Sequence, residues 1–360
     1  MNSKERVNLA LRREPPDRVP FDLSYGFVGQ AQATFERMSG STNHFDYFNT
    51  DVEYYELLEP RAGCDYAGTY YSGRLPVGKE YHFDRYGVMH EHTEGLHFTK
   101  MIPPLTESQH TVAAVDAFPL PAYRDPEIYR EAARAIADID RRGRASALAM
   151  GGETIFEVSW PLYGIEEFLV MTLTERELCE AVYDRWVECR LWQLETYAKF
   201  GRYDILWLGD DIANQHGMLL PPDVWRATLK PRMKTIIEAA KHYQPDGLVF
   251  YHTDGKADEV IEDLIEIGVD VLNPVQPECV DPAQYKRAYG DRLSFWGTIG
   301  IQHTLPFGTP QDVRDEVKLR IETVGQAGGL LVGPSHVIEP EVPWENVVAL
   351  VEAVKEFGEY

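Results

Sequence analysis

Helix-patterned stretches and short apolar runs take turns along most of the chain. Beyond Pro126, EIYREAARAIADIDRR precedes SALAMGG, a long helical stretch from Ile165 to Phe200 precedes DILWLGDD, and PDVWRATLKPRMKTIIEAAKHY precedes GLVFYHTDG. KADEVIEDLIEIG then leads to VDVLNPV, DPAQYKRAYG to LSFWGTIG, and TPQDVRDEVKLRIETVGQAG to GLLVGPSH, with a closing helix from Trp344 to Phe357. Each short run is apolar throughout rather than alternating, the pattern of parallel strands covered by helices. VPFDLSY near the start and a segment from Asp65 to Tyr70 supply two more strands. Eight strand-helix units predict an α/β fold, a TIM (β/α)8 barrel with an N-terminal extension and a hairpin insertion. An open doubly wound sheet is the alternative, but no GxGxxG follows the first strand.

The extension reads as a short helix over the first thirteen residues, with Ser3 as its N-cap and Pro15-Pro16 as its stop. From Leu75 to Leu105, aromatics and histidines alternate among charges in KEYHFDRYGVMHEHTEGLHF, which predicts a hairpin excursion. His90, His92 and His97 fall there. The alternate spacing of the first two would align them, yet Glu91 and Glu94, interspersed among the three, favour a solvated face over a metal site. No low-complexity linker divides the sequence, so residues 1–360 are expected to form one domain with 75–105 inserted in it.

Composition narrows the function. Fifty-eight acids against 35 bases leave a formal charge of -23, so nucleic acid and anionic membranes are not expected partners. Cys64, Cys179, Cys189 and Cys279 are scattered without a CxxC, which suits a reducing compartment and excludes an all-thiolate zinc site. The start lacks the apolar stretch of a secretory signal, and the cytoplasm is the expected location.

In such a barrel the chemistry sits at the C-terminal ends of the strands. Reading those ends gives Asp22, Glu153, Asp210 and Asp211, His252 and Asp254, Asn273 and Gln276, Thr298 and His336. His252 and Asp254 are two apart, so a continuing strand would point both to one side. With His336 from a neighbouring strand they make a set of two histidines and one carboxylate that leaves a metal coordination position open. The bland alternative is a turn at Asp254-Gly255 with His252 hydrogen-bonded in the mouth. One of Asp210 and Asp211 is expected to face the mouth, since neighbouring strand side chains diverge; turn and cap duty is the alternative. Glu153, after Gly151-Gly152, reads as a general base or substrate anchor, or, like Glu157, as a helix start. Trp160, Trp207, Trp225, Trp296 and Trp344 read as packing groups, of which one or two could wall an aromatic pocket. Asp22, Asn273, Gln276 and Trp296 are the candidate substrate contacts, and His216 is expected to face solvent.

ERVNLALRREPPDRVP, GDDIANQHGMLLPPDVW, LKPRMKTIIEAAK, YHTDG, IEDLIEIGVDVLNPVQ, LSFWGTIGIQHTLPFGTP and GLLVGPSHVIEPEVPWENV stand out as a set. Together they resemble the uroporphyrinogen decarboxylase superfamily, which also contains corrinoid-dependent methyltransferases. The resemblance covers nearly the whole chain and implies the barrel. The decarboxylases carry an arginine-rich RQAGR-like motif at the first strand, where this chain reads FDLSYGFVGQ, although His336 falls where they too have a histidine. The methyltransferases bind zinc through a His-x-Cys pair and a later cysteine; here His252 is similar, Asp254 stands for the first cysteine and His336 for the second. A harder nitrogen and oxygen site suits polarising an ether oxygen rather than activating a thiol.

The resemblance therefore implies metal-assisted methyl transfer from a small methoxylated substrate to a corrinoid protein. The divalent metal, zinc as the expectation, would sit on His252, Asp254 and His336, with Asp210 or Asp211 tuning it and Glu153 orienting the substrate or supplying a proton. No DxHxxG-type corrinoid motif occurs in the chain, so the cobalamin would come with a partner protein. A tetrapyrrole decarboxylase and a non-catalytic small-molecule-binding barrel are the alternatives, and a homodimer fits the general frequency of twofold oligomers.

Overall fold

A computed structural model describes residues 1–92, 99–150 and 153–360 of the chain. Glu94, His97 and Gly151-Gly152 lie outside the described residues. In chain order the strands are β1 (Val52–Glu56), β2 (Tyr81–Phe83), β3 (Met89–His92), β4 (Thr99–Ile102), β5 (Ala145–Ala149), β6 (Ile205–Gly209), β7 (Ala213–Asn214), β8 (Gly217–Met218), β9 (Leu248–His252), β10 (Val271–Asn273), β11 (Ser294–Ile299) and β12 (Leu330–Pro334). Seven of them form one curled parallel sheet in the order β1-β5-β6-β9-β10-β11-β12, while β2, β3 and β4 form a separate antiparallel sheet. Among the described residues no helix is long and apolar enough to cross a membrane.

The uniformly apolar strands have a simple cause. Successive side chains point to opposite faces, and here both faces are buried. Ile205, Trp207, Leu248, Phe250, Val271, Trp296 and Leu331 fill the inside of the curl, with Val7 and Leu11 of the first helix joining them. Leu206, Leu208, Val249, Tyr251, Phe295 and Val332 face outward onto the helices. The helix Pro126–Arg141 shows the matching pattern, burying Ala132, Ala133, Ile136 and Ile139 behind an N-cap at Asp125.

Three expectations are corrected. VPFDLSY is not a regular strand: Pro20 has no N–H to give, and Ser24 turns into the left-handed region at φ 52°. The segment still pairs with β12, where Val332 N–H donates to Pro20 O at 2.9 Å and Asp22 N–H to Val332 O at 3.0 Å. The first sheet strand is VEYYE instead. Asp65–Tyr70 holds a short helix, Tyr66–Tyr70, because the Asp65 side chain caps Gly68 N–H at 2.9 Å. The first helix is capped by Asn2, with a reciprocal bond from Glu5, and Ser3 donates its hydroxyl to Asp51 at 2.7 Å.

Asp51 stands one residue before β1 and gathers the start of the chain. Its carboxylate, fully buried, meets Arg6 Nη1 at 2.8 Å and Arg18 Nη1 at 2.8 Å, and accepts Phe21 N–H at 3.0 Å. Its own N–H donates to Phe21 O at 3.0 Å. One side chain thus ties the first helix, the segment beside β12 and the first strand together. Replacing it with alanine leaves the buried Arg6 guanidinium short of a partner, so Asp51→Ala is expected to cost about 3–5 kcal/mol of unfolding free energy in urea titration. A loss below about 1 kcal/mol would mean that the junction does not depend on this charge.

Candidate functional site

The C-terminal ends of β6 and β9 lie side by side, with Gly209 paired to His252. A Cβ at Gly209 would come within 2.7 Å of the His252 Cβ, so the absence of a side chain lets the two ends close up. The residues at and just beyond these ends are thereby brought together. His252 Nε2 lies 3.7 Å from Asp211 Oδ1 and 3.9 Å from Asp254 Oδ1. Ligand atoms of Asp211, His252 and Asp254 all fall within 4.8 Å of one another. His336, beyond β12, brings its Nε2 to 4.0 Å from the other Asp254 oxygen, with the two imidazole centroids 6.3 Å apart.

Asn273 fixes how His252 is used. Its amide nitrogen donates to the Trp296 carbonyl at 3.1 Å, which turns its oxygen toward His252 Nδ1 at 2.6 Å. With Nδ1–H given to that oxygen, Nε2 keeps its lone pair toward the two carboxylates, the usual presentation of a metal-binding imidazole. Burial lowers the His252 pKa, but Asp254, Asp211 and the Asn273 bond outweigh it and the net shift is upward. Burial, reinforced by Asp211, pushes the Asp254 carboxyl up against the pull of His252 and His336.

Asp210 and Asp211 divide their work. Asp210 is buried and accepts backbone N–H groups from Ile155 at 3.0 Å and Glu157 at 2.9 Å, so it clamps the segment after β5 and does not face the mouth. Burial pushes its carboxyl up to about 7 in spite of those bonds. Asp211 faces the other way, into the site, where Oδ1 accepts Asp254 N–H at 2.7 Å.

A cavity of about 280 Å³ opens beside this group. Tyr25, Tyr54 and Trp207 wall one part of it; Tyr25 and Trp207 pack with centroids 4.7 Å apart. Glu56, Glu153, Glu157 and Asp211 supply the acids, and His252 and His336 border it. Glu153 accepts the Tyr86 hydroxyl at 3.1 Å, and Arg85 stands 3.5 Å from Glu153 and 3.4 Å from Glu56. Both Arg85 and Tyr86 come from the turn between β2 and β3.

Glu157 carries more of the site than its sequence context suggested. It begins no helix. Its Oε2 accepts Asp211 N–H at 3.1 Å, and burial, with Asp211 and Glu153 close by, pushes its carboxyl up to about 9. The pair of glutamates four apart after β5 was the available signal.

The four expected substrate contacts lie outside the cavity lining. Asp22 is buried against Gly333, with Oδ1 free of any hydrogen-bond partner among the described residues, and burial pushes its carboxyl up to about 7. Trp296 is core, packed on Phe250 at 5.0 Å. Asn273 serves His252, and Gln276 is buried beyond β10. His216 is exposed, as expected.

The family model for Uroporphyrinogen decarboxylase (URO-D) matches residues 96–357. The Methylcobamide:CoM methyltransferase MtaA of Methanosarcina barkeri is 25% identical over 197 residues, 54% of this chain and 54% of that protein. A Uroporphyrinogen decarboxylase of Coxiella burnetii is 26% identical over 145 residues, 39% and 38% of the two chains. The chain thus spans about half the length of the first relative and less of the second. In fold it is similar to a methyltransferase from Methanosarcina mazei, with a TM-score of 0.66 and 19% identity over 99% of both chains.

The Glu157 carboxyl yields a pH test. Its pKa rises from 4.5 to about 9, so the folded metal-free chain holds one more proton than the unfolded one between those values. The stability this contributes is full below the lower value and is lost as the pH climbs through the upper one. In chelator-treated protein, Glu157→Gln is expected to melt above the parent at about pH 10 and close to it at about pH 5. Parallel melting curves across that range would place the Glu157 carboxyl in ordinary solvent.

Proposed function

Because the chain belongs to the uroporphyrinogen decarboxylase family, we propose that it is a methyltransferase of that family, moving a methyl group from a small methoxylated molecule to a corrinoid on a partner protein. The observation that carries this reading is the meeting of Asp211, His252 and Asp254 at the cavity edge, with His336 beside them. Two imidazoles and two carboxylates are a donor set that fits zinc, and crowded carboxylates in a half-buried mouth favour a bound cation. A relative named as a methylcobamide methyltransferase supports the corrinoid partner.

When bound, such a metal polarises the ether oxygen of the substrate and makes its methyl carbon open to attack. The chain's own groups do the rest. Asn273 holds the His252 ring so that Nε2 points at the site. Asp254 N–H fixes the Asp211 carboxylate. Tyr25, Tyr54 and Trp207 offer the methyl-bearing end an apolar wall that keeps water away. Glu157 holds a proton at its carboxyl in the same cavity, where a departing oxygen can take it up. That oxygen would keep the bonding pair of the broken C–O bond, and the reduced corrinoid of the partner protein would supply the electron pair that accepts the methyl group.

The same cavity argues against a tetrapyrrole with eight carboxylates. Its lining is acidic, and Arg85 behind that lining is already engaged by Glu56 and Glu153. The test combines metal analysis with turnover. Purified chain is expected to hold near-stoichiometric divalent metal that His252→Ala and Asp254→Ala remove, and Asn273→Leu is expected to weaken metal binding about 10–100-fold. With cob(I)alamin supplied, methoxylated aromatics are expected to give methylcobalamin by its absorbance. Release of carbon dioxide from uroporphyrinogen, or ligand binding without turnover in this assay, would overturn the proposal.

A further inference from the structure

We propose that the small antiparallel sheet carries a second metal site, in which His82 of β2 and His92 of β3 together chelate one late first-row divalent cation of the nickel or copper kind. The site is independent of the reading given to the cavity.

The strand register brings the imidazoles together. His82 stands opposite His90, and His92 is two residues farther along β3, so His90 and His92 share a face and His92 is the diagonal neighbour of His82. His82 Nδ1 and His92 Nε2 are 3.0 Å apart. Two metal–nitrogen bonds of about 2.1 Å to one ion put their nitrogens about 3.0–3.4 Å apart, so a small turn of either ring brings both onto one cation. Among divalent first-row ions Ni2+ and Cu2+ are held most tightly by nitrogen donors, and imidazole is a favoured ligand of both. Without the ion the same two atoms share a proton, which a cation would displace.

His90 serves as a support. Its Nδ1 is bonded to Thr99 Oγ1 at 2.8 Å and its Nε2 to Asp84 Oδ2 at 3.2 Å, so neither is left for a metal. Its ring instead stacks on His82, with centroids 5.1 Å apart and planes 15° apart, and holds that imidazole upright. The sequence favoured a solvated face because Glu91 separates His90 from His92. Strand alternation puts Glu91 on the other side, where it is buried and paired with Lys79. Both chelating imidazoles are exposed, so water can fill the remaining coordination positions. The turn joining β2 to β3 is the one that presents Arg85 and Tyr86 to Glu153, so a cation bridging these strands would brace that turn from its outer end.

The experiment is equilibrium dialysis of the full chain carrying His252→Ala and Asp254→Ala against NiCl2. One Ni2+ per chain is expected. Adding His82→Ala or His92→Ala is expected to weaken its binding at least about tenfold, while His216→Ala, an exposed control, leaves it unchanged. With Cu2+ in place of Ni2+, electron paramagnetic resonance is expected to show coupling to two imidazole nitrogens, and to one after either substitution. Nickel uptake that survives both substitutions, or no uptake once the cavity ligands are gone, would overturn the proposal. The result leaves the methyl-transfer reading untouched, because that reading is tested through His252, Asp254 and turnover.

Discussion

The curl of the sheet is the constraint on which the site depends, and Asp51 is where that curl is pinned. From its place just ahead of β1, its carboxylate bonds at once to the first helix and to the segment beside β12. Parallel neighbours lie only about 5 Å apart, so an open, flat sheet would spread its strand ends too widely to share one ligand. Curled, the same sheet brings groups after β6, β9 and β12 within reach of one another. Asp211, His252 and Asp254 meet because β6 and β9 are adjacent, and the curl brings His336, three strands beyond β9 and 125 positions (336 less 211) after Asp211, to the same place.

A second constraint is electrostatic. Asp211, Asp254, Glu153 and Glu157 crowd one half-buried mouth, and the site relieves them in three ways. Glu157 keeps its proton, Glu153 takes Tyr86 and Arg85 as partners, and Asp211 and Asp254 turn toward the His252 imidazole. Asp210 shows that the arrangement is built rather than accidental. Its buried carboxylate accepts several backbone N–H groups from the segment that carries Glu157, so the acid beside the cavity is positioned by an acid beneath it.

Much of this was legible in the sequence because burial on both faces writes itself as uninterrupted apolar runs. The six strands from β5 to β12 in the parallel sheet were readable for that reason, and so were His252, Asp254 and His336 at or just beyond their ends. The first strand was not. VEYYE carries two glutamates and is no uninterrupted apolar run, while VPFDLSY looks more apolar yet contains Pro20 and a left-handed Ser24. Roles that depend on direction were equally hidden. Asp210 and Asp211 are adjacent in sequence, and only the twist at the end of β6 decides which one turns inward. Trp207 reads as a packing residue and is one, but the curl also makes it a wall of the cavity beside Tyr25 and Tyr54. Asn273 stood out by its position at the end of a strand, but its bonds to His252 and to the Trp296 carbonyl depend on neighbours far off in sequence.

The turn between β2 and β3 stands apart from the parallel sheet whose mouth it serves. Arg85 and Tyr86 reach that mouth from a segment that contributes no strand to the sheet, so the cation and the phenol that partner Glu153 are held independently of the strand ends. The mouth is therefore a joint product of two sheets, and its balance of charge can be retuned from the smaller one without disturbing His252 or its register.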